Sequence, residues 1–125
     1  MGDMPKAAIV GIGQTEFSKK SGRSELQLAA ESIKLALDDA GLDASEIDGL
    51  VTFTLDGSDE VGLSRCLGFD NLKLTTRIPQ GGAAAVATIC HAMSAIASGV
   101  CEVVWNLSIT VRKRPIAASG LPLRR

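Results

Sequence analysis

The sequence predicts an α/β layer fold, a mainly parallel sheet covered by helices and organised around one buried helix. Three observations carry that prediction. Apolar, β-branched runs alternate with helical patterns in the order β-α-β-α-β-α-β, which right-handed crossovers build into a parallel sheet. Residues 83–97, set between Gly81-Gly82 and Gly99, form an Ala-rich helical stretch without Lys, Arg, Asp or Glu. A helix with no charged face belongs in an interior. Residues 24–40, by contrast, repeat apolar side chains at three-to-four spacing, as a helix lying over a sheet does.

Composition narrows the function classes. The chain has 125 residues, 46% hydrophobic and 22% charged, the profile of one soluble globular domain. Residues 1–105 carry all 14 acids and eight of the 13 Lys and Arg, whereas 106–125 carry the other five bases and no acid. This divides the chain into a body, 1–105, and a basic tail, 106–125, whose structure the sequence leaves open. An acidic body argues against nucleic acid as a partner. Cys66, Cys90 and Cys101 show no CxxC or Cys/His metal spacing, and an odd number fits no disulfide framework. No metal is expected, and reduced thiols in a cytoplasmic setting are. Residues 83–97 are too few for a membrane span, which needs roughly 20 apolar residues. The start, MGDMPKAAIVGIG, lacks the apolar core and cleavage site of a signal peptide. Lys6 stands where a myristoylation signal needs Ser or Thr.

Taken in order, residues 7–12 (AAIVGI) read as a buried strand. Gly11-Ile12-Gly13 invites comparison with a dinucleotide-binding loop, but Glu16 replaces the third glycine and the next helix starts some ten residues later. A strand end and turn is the better reading. Helix 24–40 opens on a capping box, Ser24 with Gln27, and ends at Gly41. Leu26, Ala29, Ala30, Ile33, Ala36, Leu37 and Ala40 make its inner face, while Glu31, Lys34, Asp38 and Asp39 lie off it. Asp38 and Asp39, adjacent on a helix, do not face each other and serve as a solvated surface.

Residues 43–48 read as a polar turn and 49–55 (GLVTFTL) as a strand. Residues 60–67 make a short helix with Cys66 as a packed thiol. Asp56, Asp59 and Glu60 lack the spacing of a cation loop and are read as solvent-facing acids. Residues 73–78 (KLTTRI) form a third strand, the uncharged helix follows, and 101–105 (CEVVW) form a fourth strand. Ligands of such sheets bind beyond the carboxyl ends of the strands. That rule selects Gly81 and Gly82, where the third strand meets the buried helix, as candidate substrate-binding residues. His91, the one histidine, has no Ser, Cys or acid at partner spacing and reads as a hydrogen-bonded core residue.

Four stretches resemble the N-terminal part of the thiolase superfamily: AAIVGIGQTEF, LQLAAESIKLALDDAGLDASEIDGLV, GGAAAVATICHAMSAIASG and GVCEVVW. Together they cover residues 7–105. The branch they resemble is the thiolase-like lipid-transfer proteins related to the sterol-carrier-protein thiolases, which include acyl-CoA thiolases and aldol lyases of steroid side-chain breakdown. The resemblance implies an incomplete thiolase-like layered fold and a coenzyme A thioester as substrate, with no further cofactor.

The resemblance also implies a nucleophilic cysteine at the start of the buried helix, a place that Gly82 occupies here. Cys90 lies roughly 12 Å further along at about 1.5 Å per residue and does not replace it. No catalytic residue is assigned. Family members are much longer and draw other catalytic groups from a second half. A truncated product, ending in a shifted reading frame after Trp105, is the expectation for the tail. The resemblance further implies a homodimer through residues 72–79, or a partner subunit. It leaves three functions open: acyltransferase, aldol lyase needing a partner chain, and non-catalytic acyl-CoA or lipid binding.

Overall fold

Ser24 and Gln27 close the expected capping box: the Gln27 N–H donates to Ser24 Oγ at 3.2 Å, and the Ser24 N–H to Gln27 Oε1 at 3.0 Å. From that start the chain builds alternating strands and helices. The computed structural model describes residues 7–53, 59–79, 81–106 and 109–113. Along these run β1 (Ala7–Ile12), α1 (Glu25–Ala40), β2 (Gly49–Phe53), α2 (Glu60–Leu67), β3 (Leu74–Ile78), α3 (Ala84–Ala97), β4 (Val103–Asn106) and β5 (Ile109–Lys113). The polar turn after α1 holds a single 3-10 turn at Ala44–Glu46. Residues 54–58, including Asp56, and most of 106–125 lie outside the described residues.

The strands form one sheet in the order β1-β5-β4-β2-β3. β2 runs parallel to β3 and β4, while β5 is antiparallel to both β4 and β1. Four strands therefore share one direction and β5 alone opposes them, so the sheet is mixed, parallel from β4 to β3 and antiparallel on both sides of β5. β5 falls within the basic tail, whose structure the sequence left open. Its sequence, ITVRK, is β-branched, and its backbone groups pair on both sides.

Helices cover both faces. α1 and α2 enclose a core of Ile33, Leu37, Leu42, Ile47, Leu50, Leu63, Phe69, Val103 and Trp105. α3 packs on the other face against Val51, Ile78, Val104 and Val111. Gly11 and Gly13 let α1 lie directly on the first strand, since a methyl group on either would overlap α1 backbone at Ala36 and Ser32. The two glycines of the GIG sequence are thus a packing device, more than the simple turn expected there.

α3 is buried on its sheet side through Ala84, Thr88, Ala92, Ala95 and Ile96. Its other side is open: Val86 is 67% and Met93 37% exposed, with Cys90 and His91 exposed beside them. Lack of charge permits burial, but burial also needs a second layer. The described residues place α1 and α2 on the opposite face and leave α3 alone on its own.

Candidate functional site

Gly81 and Gly82 lie between the end of β3 and the first turn of α3, at the carboxyl ends of the parallel strands, where the sequence expectation put them. The Ala84 N–H donates to the Gly81 carbonyl at 2.7 Å, which winds the chain into the helix. Ala83 caps it without a side-chain hydrogen bond. The opening turn of a helix presents amides without helical acceptors and a positive end of the dipole, a natural place for negative charge. Both glycines are exposed, and a Cβ built on either meets open space. Neither has a positive φ. The fold therefore does not itself require glycine at position 82, and a side chain is sterically admissible there.

None of the three thiols sits at that turn. Cys90 is exposed on α3 and Cys66 on α2. Cys101 is buried just before β4, at the other end of the sheet. Burial raises its thiol above the usual range, the Asp48 carboxylate adds to the rise, and Lys73 opposes it. His91 is exposed rather than in the core, because its position on α3 falls on the side without a covering layer. It lies more than two helical turns beyond Gly82 and is not brought to the glycine pair.

A polar constellation missed at the sequence level stands at the carboxyl ends of β2 and β3. Thr52 Oγ1 donates to Glu60 Oε1 at 2.6 Å, and Arg77 Nε donates to the same oxygen at 2.7 Å. Burial alone works against the Glu60 charge. Hydrogen bonds from Thr52, the backbone and Arg77, with the Arg77 charge, outweigh it and hold the carboxyl below its usual value. Glu60 is therefore a partly buried ion-pair member, not the solvent-facing acid expected. Asp59 caps α2 by accepting the N–H groups of Val61 and Gly62, each at 3.1 Å. The only sequence signal for the pairing was Arg77 on an otherwise uncharged strand end.

Thr52 and Arg77 are register partners, on the sheet face that carries α1 and α2. The cluster is thus separated from α3 by the sheet. On that same side a groove of about 820 Å³ runs between α2 and β3, lined by Val61, Arg65, Phe69 and Leu72 among others. Among the described residues no His, Cys, Asp and Glu cluster is arranged to hold a metal ion. Nor is any described helix long and apolar enough to cross a membrane.

Known structures with this architecture define its class. A monomeric SCP2-thiolase-like protein of Mycobacterium smegmatis superposes with a TM-score of 0.68 at 29% identity, over 83% of this chain and 23% of that one. The described residues thus have the thiolase-like fold and resemble the N-terminal part of the sterol-carrier-protein thiolase-like proteins. Within that class, the structure named Ltp2-ChsH2(DUF35) aldolase matches with a TM-score of 0.77 and 54% identity, over 80% of this chain and 26% of that one.

Two curated relatives agree. The steroid side-chain-cleaving aldolase of Thermomonospora curvata is 55% identical over 98 residues, 78% of this chain and 25% of its own length. The 17-hydroxy-3-oxo-4-pregnene-20-carboxyl-CoA lyase of Mycobacterium tuberculosis is 54% identical over 99 residues, 79% of this chain and 26% of its own. The chain spans about a quarter of the length of these relatives. No protein-family profile matches it. The names these relatives carry are those of lyases, not acyltransferases.

Proposed function

We propose that this chain forms part of an aldolase that cleaves a carbon–carbon bond in the side chain of a steroid held as a coenzyme A thioester, acting with a partner polypeptide. The observation that carries this reading is its identity of 55% and 54% to two proteins named for that cleavage. Glycine at position 82, where an acyl-transferring member of the fold needs a thiol, supports it. The name Ltp2-ChsH2(DUF35) aldolase, which joins two components, supports the partner.

A retro-aldol cleavage explains why glycine is compatible with function. The hydroxyl of a β-hydroxy acyl thioester gives up its proton to a base. The bond between the carbinol carbon and the α carbon breaks, and its electron pair enters the thioester as an enolate. The carbinol becomes a ketone, and a proton returns to the α carbon. No acyl-enzyme forms, so no nucleophile is required. The step needs positive potential near the thioester oxygen, and a helix N-terminus such as the one at Gly81-Gly82 supplies it. In this reading the thioester is the substrate and no other cofactor takes part. The base comes from outside the described residues.

The test is a segment exchange. Residues 7–105 replace the matching stretch of the Thermomonospora curvata aldolase, and ketone release from a 17-hydroxy steroid 20-carboxyl-CoA ester is followed. Retained cleavage supports the reading. A folded hybrid that binds the ester without cleaving it overturns it in favour of a binding module.

A further inference from the structure

We propose that β5, with β1 paired behind it, is a strap that opens from β4 as one unit while β2, β3 and β4 stay folded. The inference goes beyond the aldolase reading and does not depend on it. Among the described residues, five buried side-chain nitrogen or oxygen atoms have no hydrogen-bond partner, and four of them belong to Trp105, Asn106 and Thr110. These residues meet at the seam between β4 and β5, where Trp105 is the register partner of Thr110 and Asn106 that of Ile109.

Strand alternation sets the orphaned groups on both faces of the sheet. Trp105 belongs to the core under α1 and α2, and Thr110, directly across from it, shares that face. Asn106, two residues beyond the α3-facing Val104, lies on the other. The Trp105 indole N–H and the Thr110 hydroxyl are thus cross-strand neighbours without a bond between them. Asn106 and Thr110 are fully buried and Trp105 is 1% exposed, so while the seam is closed no group outside the chain reaches them.

An orphaned polar group penalises the folded state only while it stays buried. Opening the seam wets all three side chains and lifts that penalty. Buried polar side chains beside β2, in contrast, are partnered: Thr52 donates to Glu60, and Asp48 accepts from Glu102, Val103 and Lys73. The sheet is therefore weakest along the β4–β5 line. Among the described residues β1 joins the sheet through β5 alone. Once β5 leaves β4, the two strands form a ribbon that is marginal in water by itself, so both lose protection together.

Native-state hydrogen exchange of the full 125-residue chain, read amide by amide in low urea, tests the proposal. The sheet-bonded amides of β1 and β5 should exchange together, on the order of tenfold or more faster than those of β2 and β3, and with a weaker urea dependence. Thr110→Val and Asn106→Leu remove orphaned groups at nearly constant volume, and each slows exchange in β1 and β5 by about tenfold. Glu60→Gln weakens the β2–β3 half only: it speeds exchange there and leaves β1 and β5 at their former rates. Three outcomes overturn the proposal. β1 and β5 exchange no faster than β2 and β3, both apolar variants speed exchange, or Glu60→Gln speeds all strands alike. If an apolar variant fails to fold, the parent chain and Glu60→Gln decide alone.

Discussion

Asp48 and Val103 hold each other twice. The Asp48 N–H donates to the Val103 carbonyl at 3.0 Å, and the Val103 N–H donates to Asp48 Oδ1 at 2.9 Å. The same carboxylate accepts the Glu102 N–H at 3.0 Å and Lys73 Nζ at 3.2 Å, while the Asp48 carbonyl accepts the Lys73 N–H at 2.8 Å. One residue thus gathers the entrances of β2, β3 and β4.

Replacing Asp48 by Ala leaves the Val103 and Glu102 amides without their acceptor, and an unpaired buried donor costs about 1–3 kcal/mol. The expected loss is roughly 2–4 kcal/mol by urea unfolding. Asp48→Asn keeps one acceptor oxygen and recovers part of it. Equal losses for the two variants would show that the carboxylate oxygens are not what matters.

Glu60 makes stability pH-dependent on the acid side. Its carboxyl is held below the ordinary value in the folded chain, so its contribution is full above the unfolded value near 4.3 and fades as pH falls through the lower folded one. Glu60→Gln should flatten that acid limb in urea midpoints measured from pH 7 to pH 3. The effect at neutral pH is about 1 kcal/mol, limited because Arg77 is 39% exposed and screened by solvent.

Gly13→Ala drives a methyl group into the backbone of α1 at Ser32. Either the helix lifts from the strand or the strand end distorts, and overpacking of this kind costs about 1–3 kcal/mol. Thermal unfolding should show a lower midpoint. Gly22→Ala is the contrasting control: it meets no neighbour and carries the strain of a positive φ alone.

Gly82→Cys, in contrast, should leave stability nearly unchanged, since a side chain there meets open space. The new thiol lies at the positive end of α3, so its pKa should fall by roughly half a unit. Alkylation rates against pH, measured in a Cys66→Ser, Cys90→Ser background, would show it. Cys101, buried and with a raised pKa, stays unreactive until the chain unfolds. A thiol at 82 that titrates no lower than a free one would deny the turn any electrostatic role.

Local signals in the sequence were reliable where the physics is local. The Ser24–Gln27 box, the stop at Gly41 and the alternation of strand and helix depend on neighbours a few residues apart, and each is present. Strand order is not local, and nothing in ITVRK says that it enters between β1 and β4. Its two basic residues, Arg112 and Lys113, weighed with the tail and masked a β-branched strand. The Glu60–Arg77 pair bridges 17 residues and forms only once β2 and β3 align. The position of Gly81-Gly82 was legible because a strand-to-helix junction is itself a local feature. The open side of α3 was not, because composition shows what a helix tolerates and not what covers it.

The place of β5 has a consequence for how the chain comes together during synthesis. Among the described residues β1 touches the sheet through β5 alone, and the register joins Ala7 to Lys113. Within these residues β1 therefore has no berth until β5 has emerged from the ribosome. It must wait as an unpaired apolar segment, held near α1 by the contact at Gly11 and Gly13, and such a wait slows folding and invites capture by chaperones.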